Sequence, residues 1–244
     1  KEVRLTGLAR HDALLAEASA ADPDDRCLVI MPTWRRWLLG PDTGSGNDRP
    51  PVEDFWGTEY ARRWTELITA PGLAEIADRT GHPIVFVPHP NLRHCFADAP
   101  WPERIRVHDH AAGGLHRVLA RAALLITDYS SVAADAGYLL RPVVHYQFDA
   151  AEFYGGGHLG RTGSRVPEAL RFGPVFPSAT EVVEHVGVVA DRGFAVEPGY
   201  ADRMRAAFPY RDGRCCERIV AAVRADRRPA AEDEIFTEIR DEPM

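Results

Sequence analysis

The residues best suited to chemistry sit where apolar runs end. The run Leu124-Leu125-Ile126-Thr127 passes into Asp128-Tyr129-Ser130-Ser131-Val132, where a Ser pair opens a helical pattern. Serine is a preferred N-cap, and the free N–H groups of a first helical turn, at the positive end of the helix dipole, suit a phosphate. Asp135 follows Ser131 by one helical turn and shares its face, where a carboxylate can accept hydrogen bonds from ligand hydroxyls. The same residues also fit an ordinary Ser-capped core helix with Asp135 in solvent. His89 follows the run Ile84 to Val87 and precedes Pro90, which biases it away from helix. Its imidazole can donate to a phosphate oxygen, act as an acid, or simply be satisfied within a loop. Met31-Pro32-Thr33-Trp34-Arg35-Arg36 leaves a third run with a hydroxyl, an indole and two guanidiniums. Arginine suits bidentate phosphate contact, and Trp34 can stack on a ligand or close the core.

These groups need a frame, and the apolar pattern supplies one. Cys27 to Met31, Ile84 to Val87, Ala123 to Thr127 and Val143 to Tyr146 read as buried strands, with a weaker strand over Ile105 to Val107. Helical spacing joins Leu115, Val118, Leu119 and Ala122, and recurs over Phe55 to Leu67, Thr180 to Val189 and Cys215 to Val223. Strands alternating with helices predict an α/β fold, a Rossmann-like parallel sheet with helices on both faces. In such a sheet ligands bind outside the carboxyl ends of the strands, the edge to which three strand ends here deliver phosphate-compatible groups. Gly40 to Asp54 and Asp149 to Gly173 read as irregular loops. Residues 1–226 read as one domain, and the acidic stretch 227–244 as a mobile tail without an apolar face.

Composition narrows the partners. With 244 residues and a formal net charge of -7, the chain has no overall attraction for nucleic acid or an anionic membrane, so an anionic ligand requires a local site. No stretch approaches the ~18 consecutive apolar residues of a membrane span, and no signal peptide opens the chain, which predicts a cytoplasmic protein. Cys27, Cys95, Cys215 and Cys216 lack CxxC spacing and are expected to be free thiols in a reducing compartment. No DxD motif and no His/Cys/carboxylate cluster argues for a metal, so neither a metal nor another cofactor is expected. The first residue is Lys1 rather than Met, which is read as the start of a piece excised from a longer polypeptide.

Several motifs in fixed order carry a resemblance. Thr6-Gly7-Leu8-Ala9-Arg10-His11-Asp12, Pro32-Thr33-Trp34-Arg35, His89-Pro90 and Thr127-Asp128-Tyr129-Ser130-Ser131-Val132 with Asp135 resemble the carboxyl-terminal half of CDP-glycerol glycerophosphotransferases, the teichoic-acid glycerophosphate transferases. Arg141-Pro142-Val143-Val144, Phe172-Gly173-Pro174-Val175 and Asp212-Gly213-Arg214 with Glu217-Arg218 are similar to that family's later signatures, so the resemblance runs from about Val3 to Val223. It implies the carboxyl-terminal domain of a GT-B architecture that binds CDP-glycerol. Such a domain serves transfer of glycerol phosphate to a polyol-phosphate or lipid-linked acceptor, with release of CMP. It implies that His89, Ser130 and Ser131 contact the pyrophosphate, that Arg35 is a supplementary phosphate ligand, and that Asp135 meets donor hydroxyls. The family's expected catalytic base lies in an amino-terminal Trp-His-Gly-Thr segment that nothing here matches. The chain is therefore expected to be a donor-binding half whose base, and an amino-terminal domain, lie elsewhere. A full-length protein could then sit peripherally at the inner face of the membrane. The sequence departs from the family at Ala9, where Pro is usual. It departs again over Tyr154 to Arg161, where an Arg-Gly pair is usual, so the donor's leaving end is expected to be contacted differently. Two other readings stand beside this one: a nucleotide-sugar glycosyltransferase of GT-B fold, and a non-catalytic nucleotide-binding module.

Overall fold

The computed structural model describes residues 3–40, 49–97, 99–108, 114–158 and 165–226. Helix α1 (Ala9–Ala20) precedes strand β1 (Cys27–Met31). Helices α2 (Glu59–Ile68) and α3 (Pro71–Thr80) lead to β2 (Ile84–Phe86), and α4 (Arg93–Ala97) to β3 (Ile105–Val107). Then follow α5 (Leu115–Ala120), β4 (Ala122–Thr127), α6 (Val132–Tyr138), β5 (Val143–Tyr146) and the short α7 (Ala150–Glu152). β6 (Val175–Phe176), α8 (Ala179–Asp191), α9 (Pro198–Ala207) and α10 (Cys215–Asp226) complete the described chain. The expected acidic tail and the segment from Leu159 to Arg161 lie outside the described residues.

Six strands form one sheet in the order β3-β2-β1-β4-β5-β6, every pair parallel. This is the doubly wound order, with its reversal between β1 and β4. Alternation along each strand divides the core. Leu28 and Ile30 of β1, Leu124 and Ile126 of β4, and Val144 and Tyr146 of β5 pack with Trp64 of α2, Ile76 of α3 and Val182 of α8. Val29 and Met31, Leu125 and Val143 face the other way, onto Leu14 of α1, Leu119 of α5, Ala136 of α6 and Met204 of α9. A sheet buried on both faces explains why its strands read as unbroken apolar runs.

Local chemistry sets the helix ends. Thr58 caps α2 by accepting from Ala61 N at 3.2 Å, so that helix begins later than the aromatic spacing from Phe55 predicts. Pro71 opens α3 and Gly81, at φ +71°, closes it. Ser178 caps α8 by accepting from Glu181 N at 3.3 Å. α10 is capped from a distance: the Asp12 carboxylate of α1 accepts from Cys215 N at 2.8 Å and Cys216 N at 2.7 Å. Ahead of β6 the chain crosses β5 so closely that a Cβ on Gly173 would stand 1.7 Å from the Val143 carbonyl oxygen. Only glycine fits there.

Candidate functional site

The reversal between β1 and β4 is where an open crevice is expected, and it is filled. Thr33-Trp34-Arg35 leaves β1 and turns Arg35 inward, to 0% exposure. Its Nε donates to Asp149 Oδ2 at 2.6 Å, its Nη2 lies 2.8 Å from Asp128 Oδ2, and its Nη1 donates to the Thr33 carbonyl at 2.6 Å. The rings of Tyr60, Tyr129 and Phe153 surround the guanidinium at 5.2, 4.9 and 5.1 Å. Burial alone would pull Arg35 down, but Asp128 and then Asp149 overrule it and hold it well above its usual value. Tyr129 Oη donates to Asp149 Oδ1 at 3.0 Å, and burial followed by that carboxylate pushes its phenol far up. Asp128 Oδ1 accepts from Thr33 N at 2.9 Å and Tyr129 N at 2.6 Å, fastening the ends of β1 and β4 together. Arg35, expected as a phosphate ligand, thus faces carboxylates. Reaching an anion would require it to leave both.

One strand further along, the sheet edge opens. Beyond the ends of β4 and β5 lies a cavity of about 420 Å³, bordered by Ser130 and Ser131 from one strand end and by His145 and Gln147 from the other. Tyr154, Arg165, Arg171 and Phe172 complete much of the wall. Ser130 Oγ accepts from Val132 N at 3.3 Å just ahead of α6, while Ser131, the residue at the helix cap, is exposed and makes no side-chain cap bond. The guanidinium of Arg165 stacks over Tyr154 at 5.2 Å. Among the described residues neither Arg165 nor Arg171 has a carboxylate partner. Asp128, the acid of the wall, turns its carboxylate to Arg35, so the cavity presents hydroxyls and positive charge.

The other two expected residues stand off this cavity. His89 takes its place at the end of β2, where its Nδ1 accepts from Asn91 N at 3.2 Å and its ring lies 6.0 Å from that of Trp34. Trp34 in turn meets His158 at 5.1 Å, and His158 stacks on Phe153 at 4.7 Å, so an aromatic row joins His89 to the cavity's Tyr129. Burial and the nearby Arg35 charge hold His158 below its ordinary value. Asp135 lies on a different side of α6, where its Oδ1 accepts from Arg10 Nε at 2.7 Å and lies 3.2 Å from His11 Nε2. Burial alone would raise this carboxyl, but bonds from His11 and Arg10 bring it below its usual value. Asp135 thereby ties α6 to α1. Of the five expected residues, Ser130 and Ser131 border the cavity and Arg35, His89 and Asp135 do not.

His145, Gln147, Asp149, Arg165 and Arg171 were not among the expected site residues. The signal for His145, Gln147 and Asp149 lies in Val144-His145-Tyr146-Gln147-Phe148-Asp149: Val144, Tyr146 and Phe148 pack into the core, and the polar residues alternate with them. Among the described residues no three His, Cys, Asp or Glu side chains form a metal-binding group, and no helix is long and apolar enough to cross a membrane. All four cysteines are free, and burial pushes Cys27 and Cys95 up to about 11.

A family model described as CDP-Glycerol:Poly(glycerophosphate) glycerophosphotransferase matches residues 1–225. The minor teichoic acid biosynthesis protein GgaB of Bacillus subtilis (strain 168) is 27% identical over 224 residues, which make up 91% of this chain and 23% of that protein. A structure of the wall teichoic acid polymerase TagF superposes with a TM-score of 0.52 at 18% identity, covering 89% of this chain and 48% of that one. A TagF variant soaked with CDPG superposes at 0.55 and 19% identity, over 92% and 51% of the two chains. At such identity the structural likeness concerns the fold, an α/β Rossmann-like domain. The chain spans about a quarter of GgaB and about half of the TagF chains.

Proposed function

Because the chain belongs to the CDP-glycerol:poly(glycerophosphate) glycerophosphotransferase family, we propose that residues 1–226 form the donor-binding domain of a glycerophosphate transferase of teichoic-acid synthesis. The cavity beyond β4 and β5 would hold CDP-glycerol. The observation that carries this reading is the meeting, in one cavity, of the Ser130 and Ser131 hydroxyls with the guanidiniums of Arg165 and Arg171, which have no carboxylate partner among the described residues. Hydroxyl and guanidinium donors answer a pyrophosphate, while Tyr154 and Phe172 offer apolar surface to its organic ends.

In the proposed reaction an acceptor hydroxyl attacks the phosphorus that bears glycerol. The new oxygen–phosphorus bond forms as the bond to the bridging oxygen breaks, and CMP leaves with the electron pair. The hydroxyl proton passes to a base supplied from outside this domain, consistent with an expected amino-terminal partner domain. This domain's share is positioning and charge stabilisation, which dominate phosphoryl transfer. Arg165, Arg171, Ser130 and Ser131 would neutralise the leaving phosphate. His89 would approach the pyrophosphate from the β2 side. Arg35 acts indirectly, by fixing Asp128 and the start of the Ser pair. Asp135 holds α6 in place from behind. The acceptor would be a polyol-phosphate or lipid-linked polymer met at the inner face of the membrane.

Calorimetric titration with CDP-glycerol, CDP-ribitol, CMP and UDP-glucose at matched salt tests the reading. CDP-glycerol should bind most tightly. Tighter binding of UDP-glucose would instead favour a sugar transferase, and equal response to all four would remove the claim of donor selectivity.

A further inference from the structure

The wall of the cavity contains a buried nitrogen whose hydrogen bonding is unfinished. His145 is 8% exposed and borders the cavity, and its Nε2 has no hydrogen-bond partner among the described residues. The opposite nitrogen is fixed: Nδ1 lies 3.0 Å from the Asp128 carbonyl oxygen, which also accepts from Gln147 Nε2 at 2.8 Å. A carbonyl oxygen only accepts, so Nδ1 carries the ring proton. Burial outweighs the opposing bond and charge of Asp128 and keeps the imidazole below its usual value, and therefore neutral at pH 7. Nε2 is then a bare lone pair, locked in orientation by the bond on the far side of the ring. Buried acceptors are paired in the great majority of cases, and an exception bordering a cavity calls for a ligand group to complete it.

The sign of that group follows. A lone pair repels phosphate oxygens, which at neutral pH offer no hydrogen, so Nε2 addresses the uncharged part of a ligand. We propose that His145 is a specificity-determining residue whose Nε2 accepts a hydrogen bond from a hydroxyl or amino group of the bound nucleotide. This rests on the reading that the cavity holds the donor. The division of labour is spatial: Arg165, Arg171 and the Ser pair take the phosphates, and the His145 wall takes a neutral donor group.

Two substitutions separate a ligand contact from a purely internal one. In His145→Asn the side-chain amide nitrogen stands near the position of Nδ1, keeping the bond to Asp128 while removing Nε2. In His145→Gln an amide oxygen can stand in for Nε2. With CDP-glycerol, calorimetry should show His145→Asn binding about threefold to tenfold more weakly at an unchanged melting temperature, and His145→Gln binding closer to the parent, in keeping with loss of one neutral hydrogen bond. Parallel titrations name the group. A penalty confined to CDP-glycerol over CDP points to the glycerol hydroxyls, one present with CDP and absent with UDP to the cytosine amine, and one lost only with 2′,3′-dideoxy-CDP to the ribose. Nitrogen NMR of the imidazole in the parent chain gives a readout that needs no variant. The Nε2 resonance should move on saturation with CDP-glycerol while Nδ1 stays. Parent binding with an unmoved Nε2, or an Asn variant that binds every nucleotide like the parent, overturns the assignment to His145. Failure of the parent to bind any nucleotide overturns the donor-site reading and this assignment with it.

Discussion

The carboxyl ends of β1 and β4 and those of β4 and β5 are neighbours on one sheet edge, yet the first pair is shut and the second is open. At the shut end a guanidinium and two carboxylates fill the space, and Asp128 Oδ1 binds Thr33 N across the gap. At the open end the same Asp128 contributes its main-chain carbonyl, which holds His145 and Gln147. One residue therefore serves both, side chain to the one and backbone to the other. The reversal of strand order marks where a crevice is topologically available. Whether it remains empty depends on what the strand ends deliver into it, and here β1 delivers an arginine with its counter-ions.

Substitution should divide along that line. The largest effect is expected from Arg35→Met at the shut end: it leaves Asp128 and Asp149 buried without a cation, a situation that costs about 3–5 kcal/mol. Urea unfolding should record that loss. A fully stable Arg35→Met protein with weakened ligand binding would mean that Arg35 faces the ligand after all. Next in size, Arg171→Ala and Ser131→Ala at the open end should each weaken CDP-glycerol binding by about 1.5–3 kcal/mol, the worth of a hydrogen bond to a charged group, and leave unfolding nearly unchanged. Their cost should appear equally with CDP.

Asp135→Asn should act on acid stability. The folded carboxyl lies below its unfolded value, so the stability it adds is complete above about pH 4 and disappears as pH falls through the lower folded value. The variant's stability–pH curve should be flatter on that acid limb, by roughly 1 kcal/mol or less because its partner Arg10 is 43% exposed. An unchanged limb would detach Asp135 from Arg10 and His11. The smallest effect belongs to Ser130→Ala, which removes a long 3.3 Å bond to the first amide of α6. Its thermal unfolding should shift by about 0.5–1 kcal/mol, the low end for a neutral hydrogen bond.

Much of the sheet was legible in the sequence because burial on both faces writes strands as plain apolar runs; Cys27–Met31, Ile105–Val107 and Val143–Tyr146 emerge with the bounds the sequence predicts. α1, α3 and α9 left no such mark. α1 buries only His11 and Leu14 among its Ala-rich turns, and α3 and α9 open on Pro-Gly pairs that read as turns. β6 spans two residues and depends on the close crossing at Gly173, a contact invisible along the chain. The position of the Ser pair at a strand end was legible because its pattern is local. The partners of Arg35 were not, because an arginine after a strand suits a phosphate and a carboxylate equally, and Asp149 is 114 residues away. The setting of Asp135 was hidden for the same reason, its partners Arg10 and His11 lying on a helix the periodicity did not reveal.

The grip of Asp12 on the first amides of α10 has a consequence for anything joined to this unit. The starts of the first and last described helices are clasped together, and the 12 residues of α10 then carry the chain about 18 Å from that point. A segment attached before α1 would lie beside the clasp, whereas one attached after α10 would act on it through a helix-long lever.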